Sequence, residues 1–275
     1  MSGAHLIRLV AHELRLFFIA LQFFTRVPVP RAVGFEPEWL NQSARHFPAV
    51  GAVVGAVAVA VWWAASRVFP SGLAVGLSMA ATVYLTGAFH EDGFADTCDG
   101  LGGAVSRERA LAIMKDSRIG AYGAIGLALM LGLKATTLAA MQAPLIIAAM
   151  LFSHTASRAA AASLIRWLPY AGDIEHAKAK PLAQRISAAG LCVAWAWVAG
   201  LLAALALAEP RWLAPLGVAA LFVASGTWAC ARWLRARLGG YTGDTLGATQ
   251  QITELIALLG MLAWQGSASK GWAWN

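Results

Sequence analysis

The sequence contains few charged residues and few cysteines. Only 13% of its 275 residues are Asp, Glu, Lys or Arg, whereas about a quarter of the residues of a soluble domain are charged. The three cysteines, Cys98, Cys192 and Cys230, lie too far apart for a disulfide framework or a Cys-rich zinc site. These absences exclude a disordered chain, a coiled coil and an ordinary soluble enzyme.

Long apolar stretches fill most of the chain. Hydrophobic residues make up 59% of it, and the mean hydropathy is +0.62. Because crossing about 30 Å of hydrocarbon takes roughly 20 helical residues, seven stretches predict transmembrane helices. The predicted spans are residues 48–69, 72–89, 119–141, 144–167, 186–208, 212–234 and 249–265. We therefore predict an all-α, polytopic integral membrane bundle that forms a single domain over residues 1–275.

An eighth apolar stretch, residues 6–24, differs from the other seven. It carries Arg8, His12, Glu13 and Arg15, and charge of that density is unfavourable at the centre of a bilayer. We therefore predict an amphipathic helix that lies at the membrane interface.

The basic residues are distributed unequally between the two sides of this topology. Fourteen Lys and Arg residues lie on one side of the seven spans and three on the other. Positive charge favours the cytoplasmic side, so residues 90–118 and 168–185 are predicted to be cytoplasmic. Orientation accounts for the net charge of +7, and no nucleic-acid partner is predicted.

Four of the fourteen acidic residues fall within nine positions: Glu91, Asp92, Asp96 and Asp99. The three aspartates have the spacing i, i+4 and i+7, which places them on one face of a helix. A divalent cation would relieve their repulsion, and Mg²⁺ is usually held by a few carboxylates together with substrate phosphates. We interpret residues 90–118 as a catalytic loop with a metal site. The alternative is a solvated acidic loop.

A second polar segment, residues 114–123, follows this cluster. Lys115 and Arg118 are candidate phosphate ligands, since Arg binds phosphate through a bidentate fork. Asp116 either joins the metal site or pairs with one of these cations. The alternative is that Lys115 and Arg118 are only charges at the end of a span.

A third segment, residues 235–254, is rich in glycine and is predicted as a cytoplasmic loop that enters the last span. Gly243 and its neighbours would let backbone N–H groups approach an anion, and Asp244 is the acid of this loop. Glu254 is predicted about one turn inside the span, where an ionisable group indicates function unless it is paired. We assign Gly243, Asp244 and Glu254 to substrate binding.

Two basic residues lie within predicted spans, Lys134 and Arg158. Each needs an acidic partner or a phosphate at that depth, and Arg158 is assigned to phosphate binding. His154 precedes Arg158 by one turn, where a structural hydrogen-bonding role is commoner than a catalytic one. Ser153 and His154 are adjacent in sequence, which is not the geometry of a nucleophile and its base.

Carboxylates, basic side chains and glycine-rich cytoplasmic segments are the parts that phosphoryl transfer requires. In such reactions the protein mainly positions groups and neutralises charge. Their place at the membrane surface indicates that at least one substrate is amphiphilic or associated with the membrane.

The chain resembles the cobalamin synthase family, the adenosylcobinamide-GDP ribazoletransferases. The residues that carry the resemblance are 21–30, 47–51, 90–103, 113–123, 157–158 and 239–254. The aspartate pattern at 92, 96 and 99 together with the run Asp-Ser-Arg-Ile-Gly at 116–120 is the specific part. One departure is Glu91, where the family often has an apolar residue, so a ligand role for Glu91 stays open.

The resemblance implies a reaction, a cofactor and a location. The family joins adenosylcobinamide-GDP to α-ribazole or its 5′-phosphate, with Mg²⁺, and releases GMP in the bacterial cytoplasmic membrane, the inner membrane. Asp92, Asp96 and Asp99 would hold the metal, and one of them or Asp116 would accept the proton of the attacking hydroxyl. A homodimer, or a complex with other late cobalamin-pathway enzymes, is possible on the same grounds.

Two alternatives differ from this reading in chemistry. A CDP-alcohol phosphotransferase also places spaced aspartates at a membrane border, but its usual pattern has Arg where this chain has Asp96. A transporter would fit the charged residues within spans. The acidic residues cluster at one border, however, and no inverted repeat is evident.

Overall fold

The computed structural model describes residues 3–34, 36–103, 105–172 and 183–269. Within these residues the chain is helical, with no strand beyond an isolated bridge between Tyr170 and Tyr241. The eleven α-helices of the described residues are α1 (Gly3–Phe24), α2 (Pro37–Ser43), α3 (Phe47–Ala65), α4 (Ser71–Thr86), α5 (Phe89–Leu101), α6 (Arg107–Met114), α7 (Ala121–Ala139), α8 (Ala143–Trp167), α9 (Ala188–Ala208), α10 (Leu213–Leu238) and α11 (Gly243–Ser269).

The helices confirm a multi-pass membrane bundle. In the described residues, six helical segments are long and apolar enough to cross a membrane, and the bent pair of α4 and α5 makes a seventh. Each of the seven predicted spans overlaps one of these seven segments. The cytoplasmic assignment also used Lys178, Lys180 and Lys270, which lie outside the described residues.

Helix α8 forms the centre of the bundle, and α3, α9, α10 and α11 pack around it. Its alanines leave room for close neighbours, and Gly51 of α3 approaches the backbone of His154 closely enough to exclude a Cβ atom. Gly55 also packs on α8, at Leu151. Gly72 and Gly76, a similar pair, face no described atom within 4 Å, so these two glycines do not bring helices of the chain together.

A sharp bend separates α4 from α5. Gly87 and Ala88 both have left-handed backbone angles, with φ of 65° and 59°, and the two helix axes differ by 89°. Left-handed backbone is unfavourable for alanine, so tertiary contacts must hold it. The N–H of Arg26 donates to the carbonyl of Leu85 at 2.8 Å, which ties the segment after α1 to this bend.

The structure corrects two loop predictions. Residues 90–118 contain α5 and α6, so the acidic cluster lies on a helix. Residues 235–254 are mostly helical too, because α10 continues to Leu238 and α11 already begins at Gly243. Only four residues connect these helices, and Gly239 has the left-handed φ of 72° that the tight turn requires. The last helix is therefore longer than predicted.

Candidate active site

The acidic face of α5 is the first part of the site. Asp92 is exposed and Asp96 is partly exposed on this helix, and the predicted helical spacing is confirmed. Gly93 and Gly100 share a face with Asp96, since they lie three residues before it and four after it. Asp96 therefore lies between the two helices that these glycines contact.

Helix α5 crosses the first turn of α11 without an intervening side chain. A Cβ atom on Gly93 would lie 2.9 Å from the Cα and carbonyl oxygen of Asp244, and Gly247 contacts the backbone of His90. The packing thus brings Asp244 beside the acidic face, as the sequence indicated. Thr242 and Thr245 exchange N–H to hydroxyl bonds of 2.8 and 3.3 Å, which cap the start of α11.

Asp99 binds the start of α7. Its two carboxylate oxygens accept the backbone N–H groups of Gly120 at 2.7 Å and of Gly123 at 2.8 Å. Both glycines lie so close to Asp99 that no Cβ atom would fit. A carboxylate at a helix N-terminus is stabilised by the unpaired N–H groups there. Asp99 therefore joins the acidic helix to the phosphate-binding candidates before α7.

Asp116 and Arg118 form an exposed ion pair. The Nη2 of Arg118 donates to Asp116 Oδ2 at 2.6 Å, and its Nε donates to Oδ1 at 3.0 Å. These bonds lower the pKa of Asp116 from 3.8 to about 2. Of the two roles considered for Asp116, joining the metal site or pairing with a neighbouring cation, the structure shows the pairing. Lys115 is exposed at the end of α6, directly after Met114, which packs on Gly100.

Glu254 lies deeper than predicted. It is three turns inside α11 because the helix begins at Gly243, and it is 4% exposed. Its carboxylate pairs with Lys134 Nζ at 2.7 Å, and its other oxygen lies 3.1 Å from His154 Nδ1. The predicted substrate-binding role of Glu254 is not supported by this position. Lys134 has the acidic partner that its depth requires.

Two glutamines extend this buried network. Gln251 accepts a bond from Lys134 at 2.6 Å and donates to Glu91 Oε1 at 3.0 Å. Gln250 donates to Glu254 and, at 3.0 Å, to Ser157. Glu91 thus faces the bundle interior, in a cavity that it shares with Lys134 and Glu254. The structure does not bring Glu91 to the face of Asp92 and Asp96.

Arg158 lies in a second cavity, next to Gly243. It is 2% exposed, and its Nη1 donates to the carbonyl of His154 at 2.9 Å. Its Nε is buried without a partner in the described residues. Arg158 and the first turn of α11 therefore line the same cavity, and their assignment to phosphate binding stays a prediction.

The donor set on α5 fits a divalent cation only in part. Among the described residues, no group of three or more His, Cys, Asp or Glu side chains is arranged to hold a metal. Asp99 is engaged by α7 and Glu91 by Gln251. Asp92 is exposed on the same helix, and a Mg²⁺ ion bound there would take most of its ligands from water and substrate phosphates.

When the sequence is compared with known protein families, the matched part of the chain includes all residues of this site. The profile of the cobalamin-5-phosphate synthase family matches residues 16–262. The chain belongs to this family. The match runs from α1 to α11, so it includes every helix of the candidate site.

Three relatives show how similar the family members are. A protein of Leptothrix cholodnii is 60% identical over 259 residues, which cover 92% of this chain and 96% of the relative. Relatives from Ralstonia pickettii and Shewanella amazonensis are 47% and 44% identical, and the alignments cover 90% and 91% of this chain and 95% of each relative. All three are named adenosylcobinamide-GDP ribazoletransferase. No solved structure matches the chain.

Sequence reasoning missed two parts of this site. Gln250 and Gln251 lie in the third segment but were given no role, although adjacent amides in an apolar helix indicate hydrogen bonds between helices. The phenylalanines beside Arg158 were also missed, since Phe23, Phe47 and Phe89 are far apart in sequence and appear only as ordinary apolar residues.

Proposed function

We propose that the chain is an adenosylcobinamide-GDP ribazoletransferase of cobalamin biosynthesis. It joins adenosylcobinamide-GDP to α-ribazole or its 5′-phosphate, and GMP leaves. The observation that carries this proposal is the crossing of α5 and α11, in a chain of this family. It brings Gly93, on the helix that carries the aspartates, against the backbone of Asp244, and the neighbouring Gly243 lines a cavity together with Arg158.

The reaction breaks a pyrophosphate and therefore needs positive charge around the phosphates. Arg118 is 87% exposed as a side chain, and its neighbour Lys115 is exposed too, so both lie at the surface of the protein. Arg118 would have to exchange its pairing with Asp116 for phosphate oxygens. Arg158 contributes from within the bundle, and its planar fork matches phosphate oxygens. In our proposal these three residues hold the pyrophosphate and the acceptor phosphate.

Mg²⁺ is the cofactor that this proposal includes. When bound, it would neutralise phosphate charge and assist departure of GMP. Asp92 and Asp96 are the residues that would hold it, because the family resemblance assigns the aspartates of α5 to the metal and Asp92 is exposed on this helix. One of these carboxylates accepts the proton of the attacking ribose hydroxyl. Asp99 acts on the reaction through α7, whose first turn it binds.

The proposed location is the bacterial inner membrane, with the site on the cytoplasmic side. This orientation rests on the excess of Lys and Arg on one side of the spans. The ends of α8 and α10 and the start of α11 lie on that side. The homodimer, or a complex with other late cobalamin-pathway enzymes, stays a prediction.

A turnover assay tests the function directly. Purified protein in lipid nanodiscs is given adenosylcobinamide-GDP and α-ribazole 5′-phosphate, with Mg²⁺ or with EDTA, and GMP and the corrin product are measured together. We expect equal amounts of both products and none with EDTA. CMP release from a CDP-alcohol, without GMP release from the corrin, would instead identify a CDP-alcohol phosphotransferase.

A further inference from the structure

A small cavity lies between several helix ends at the proposed cytoplasmic end of the bundle. Its lining includes the phenylalanines Phe23, Phe24, Phe47 and Phe89 together with Arg158 and the first turn of α11. The empty space of about 380 Å³ includes the open mouth of the cavity, so a ligand would occupy the mouth as well as the interior. Its walls thus combine aromatic rings with a single permanent positive charge.

The guanidinium of Arg158 lacks hydrogen-bond acceptors. It has five N–H donors, yet in the described residues only His154 accepts from it, at 2.9 Å. Glu254 and Glu91 act on it through their charges and accept no hydrogen bond from it. A buried N–H donor without an acceptor is unfavourable. An anion bound in the cavity would therefore supply the acceptors that Arg158 lacks.

The start of α11 adds a second feature to the same wall. Gly243 and Gly247 line the cavity. The N–H groups of Thr245 and Leu246 already donate to Thr242, so the helix end acts on the cavity mainly through the partial positive charge of its dipole. Together with a cation, such a helix end binds phosphate well. Arg158 and α11 are thus two independent features that favour the same ligand group.

The aromatic wall favours a planar ring. Phe24 stacks on His90 with a centroid distance of 5.3 Å, and Phe89 meets Phe23 edge to face at 5.3 Å. Phe89 is 39% exposed at the mouth, so its rotation would admit a ring. This wall offers few hydrogen-bonding groups. It therefore suits a base without exocyclic amino or keto groups better than it suits guanine.

We propose that this cavity binds the acceptor nucleotide of the reaction. Its apolar base lies among the phenylalanines, and its phosphate lies between Arg158 and the first turn of α11. This inference rests on the proposed function, since α-ribazole 5′-phosphate is an acceptor of that chemistry. Phe89 and His90 precede Asp92 by less than one turn of α5, so the ribose of a nucleotide held here lies near the acidic face.

Equilibrium binding in nanodiscs, without the corrin substrate, tests the site. The probes are α-ribazole 5′-phosphate, α-ribazole and GDP, and the variants are Arg158→Met and Phe89→Leu. Arg166→Met is the matched control, because Arg166 is an exposed residue of the same helix and lies outside the cavity. We expect Arg158→Met to weaken the binding of α-ribazole 5′-phosphate at least about tenfold and to change the binding of α-ribazole less than about twofold. Phe89→Leu should weaken the binding of both ligands.

Other outcomes would overturn the inference. One such outcome is that Arg158→Met and Arg166→Met bind α-ribazole 5′-phosphate with equal affinity. Another is that Arg158→Met loses affinity only for GDP, which would place the donor nucleotide in the cavity instead. If Arg158→Met fails to fold, Arg158→Lys keeps the charge, and we expect it to weaken phosphate binding several-fold. Unchanged binding in Phe89→Leu also counts against the site. GMP release by the wild type in the same preparation separates failure of this inference from failure of the proposed function.

Discussion

At the residue scale, the carboxylates near the site have different tasks. Asp92 is exposed and Asp96 is partly exposed on α5, Asp99 binds two N–H groups, and Asp116 is paired with Arg118. A carboxylate that already accepts two backbone bonds, or that holds an Arg fork, has less capacity for a metal or a proton. Asp99 and Asp116 are therefore less suited than Asp92 to bind the metal or accept the proton.

The first prediction concerns Asp92. Asp92→Asn removes a negative charge without changing the size of the side chain, so we expect kcat to fall roughly 100-fold or more. The amount of folded protein in membranes should not change, since Asp92 is exposed. Glu36→Gln is the control, as Glu36 is also exposed and lies outside both cavities. Full activity of Asp92→Asn, measured as GMP release, would remove Asp92 from the proposed metal site.

The second prediction concerns the pH dependence of Asp116. Arg118 lowers the pKa of Asp116 from 3.8 to about 2. The ion pair therefore stabilises the fold fully when the pH is above the pKa of 3.8 in the unfolded chain, and this stabilisation is lost as the pH falls through about 2. Above about pH 5 the protonation of the pair is constant. We expect Asp116→Asn to leave the acidic limb of the pH profile of kcat in place. A displaced limb would identify Asp116 as the base.

The third prediction concerns the buried pair of Lys134 and Glu254. Glu254→Leu leaves Lys134 buried without a counter-ion, which costs about 3–5 kcal/mol and should lower the unfolding temperature markedly. The double variant Glu254→Leu with Lys134→Met removes both charges and should recover most of the loss. Thermal unfolding in detergent measures both variants. A double variant no more stable than Glu254→Leu would contradict the pairing.

At the element scale, the crossing of α5 and α11 decides the geometry of the site. The close approach depends on Gly93, which permits backbone contact with Asp244. The bend at Gly87 and Ala88 sets the direction of α5, and Asp99 attaches α7 to it. These three contacts position the acidic face relative to the start of α11.

The fourth prediction tests this crossing. Gly93→Ala adds a methyl group that would lie 2.9 Å from the backbone of Asp244, so the helices must move apart. We expect GMP release to fall at least about tenfold and the unfolding temperature to drop. Gly132→Ala is the matched control, since Gly132 lies within α7 with no described atom nearby. Alanine there should stabilise the helix slightly. Equal activity of both variants would contradict the proposed role of the crossing.

At the scale of the whole molecule, the charge distribution predicts the orientation in the membrane. Fourteen Lys and Arg residues lie on one side of the predicted spans and three on the other. Arg118 belongs to the larger group and is also assigned to phosphate binding in our proposal, whereas Arg158 lies within a span and is buried.

The fifth prediction tests the orientation. In a variant without its three native cysteines, Arg166→Cys should react with an impermeant thiol reagent only in inside-out vesicles. Arg67→Cys should react in spheroplasts, as Arg67 lies on the opposite side. Both residues are exposed, so access to the reagent is not limited by packing. The reverse labelling pattern would place the proposed site outside the cytoplasm.

Much of the fold follows from local sequence. The spans are determined by the length of apolar runs, and the shared face of Asp92, Asp96 and Asp99 follows from helical spacing. The predicted ends of the helices were less accurate where polar residues continue a helix beyond its apolar part. The last helix begins at Gly243, six residues before the predicted span, because buried threonines and glutamines satisfy hydrogen bonds that hydropathy alone does not register.

The partners of the site residues were decided only by the tertiary structure. Lys134 meets Glu254 across 120 positions of sequence, and Asp99 meets Gly123 across 24. The sequence alone determined which residues carry charge and which segments are helical, since both depend on near neighbours. Which charge faces which depends on how helices pack, and that depends on small residues such as Gly51 and Gly93, whose contacts lie far away in the chain.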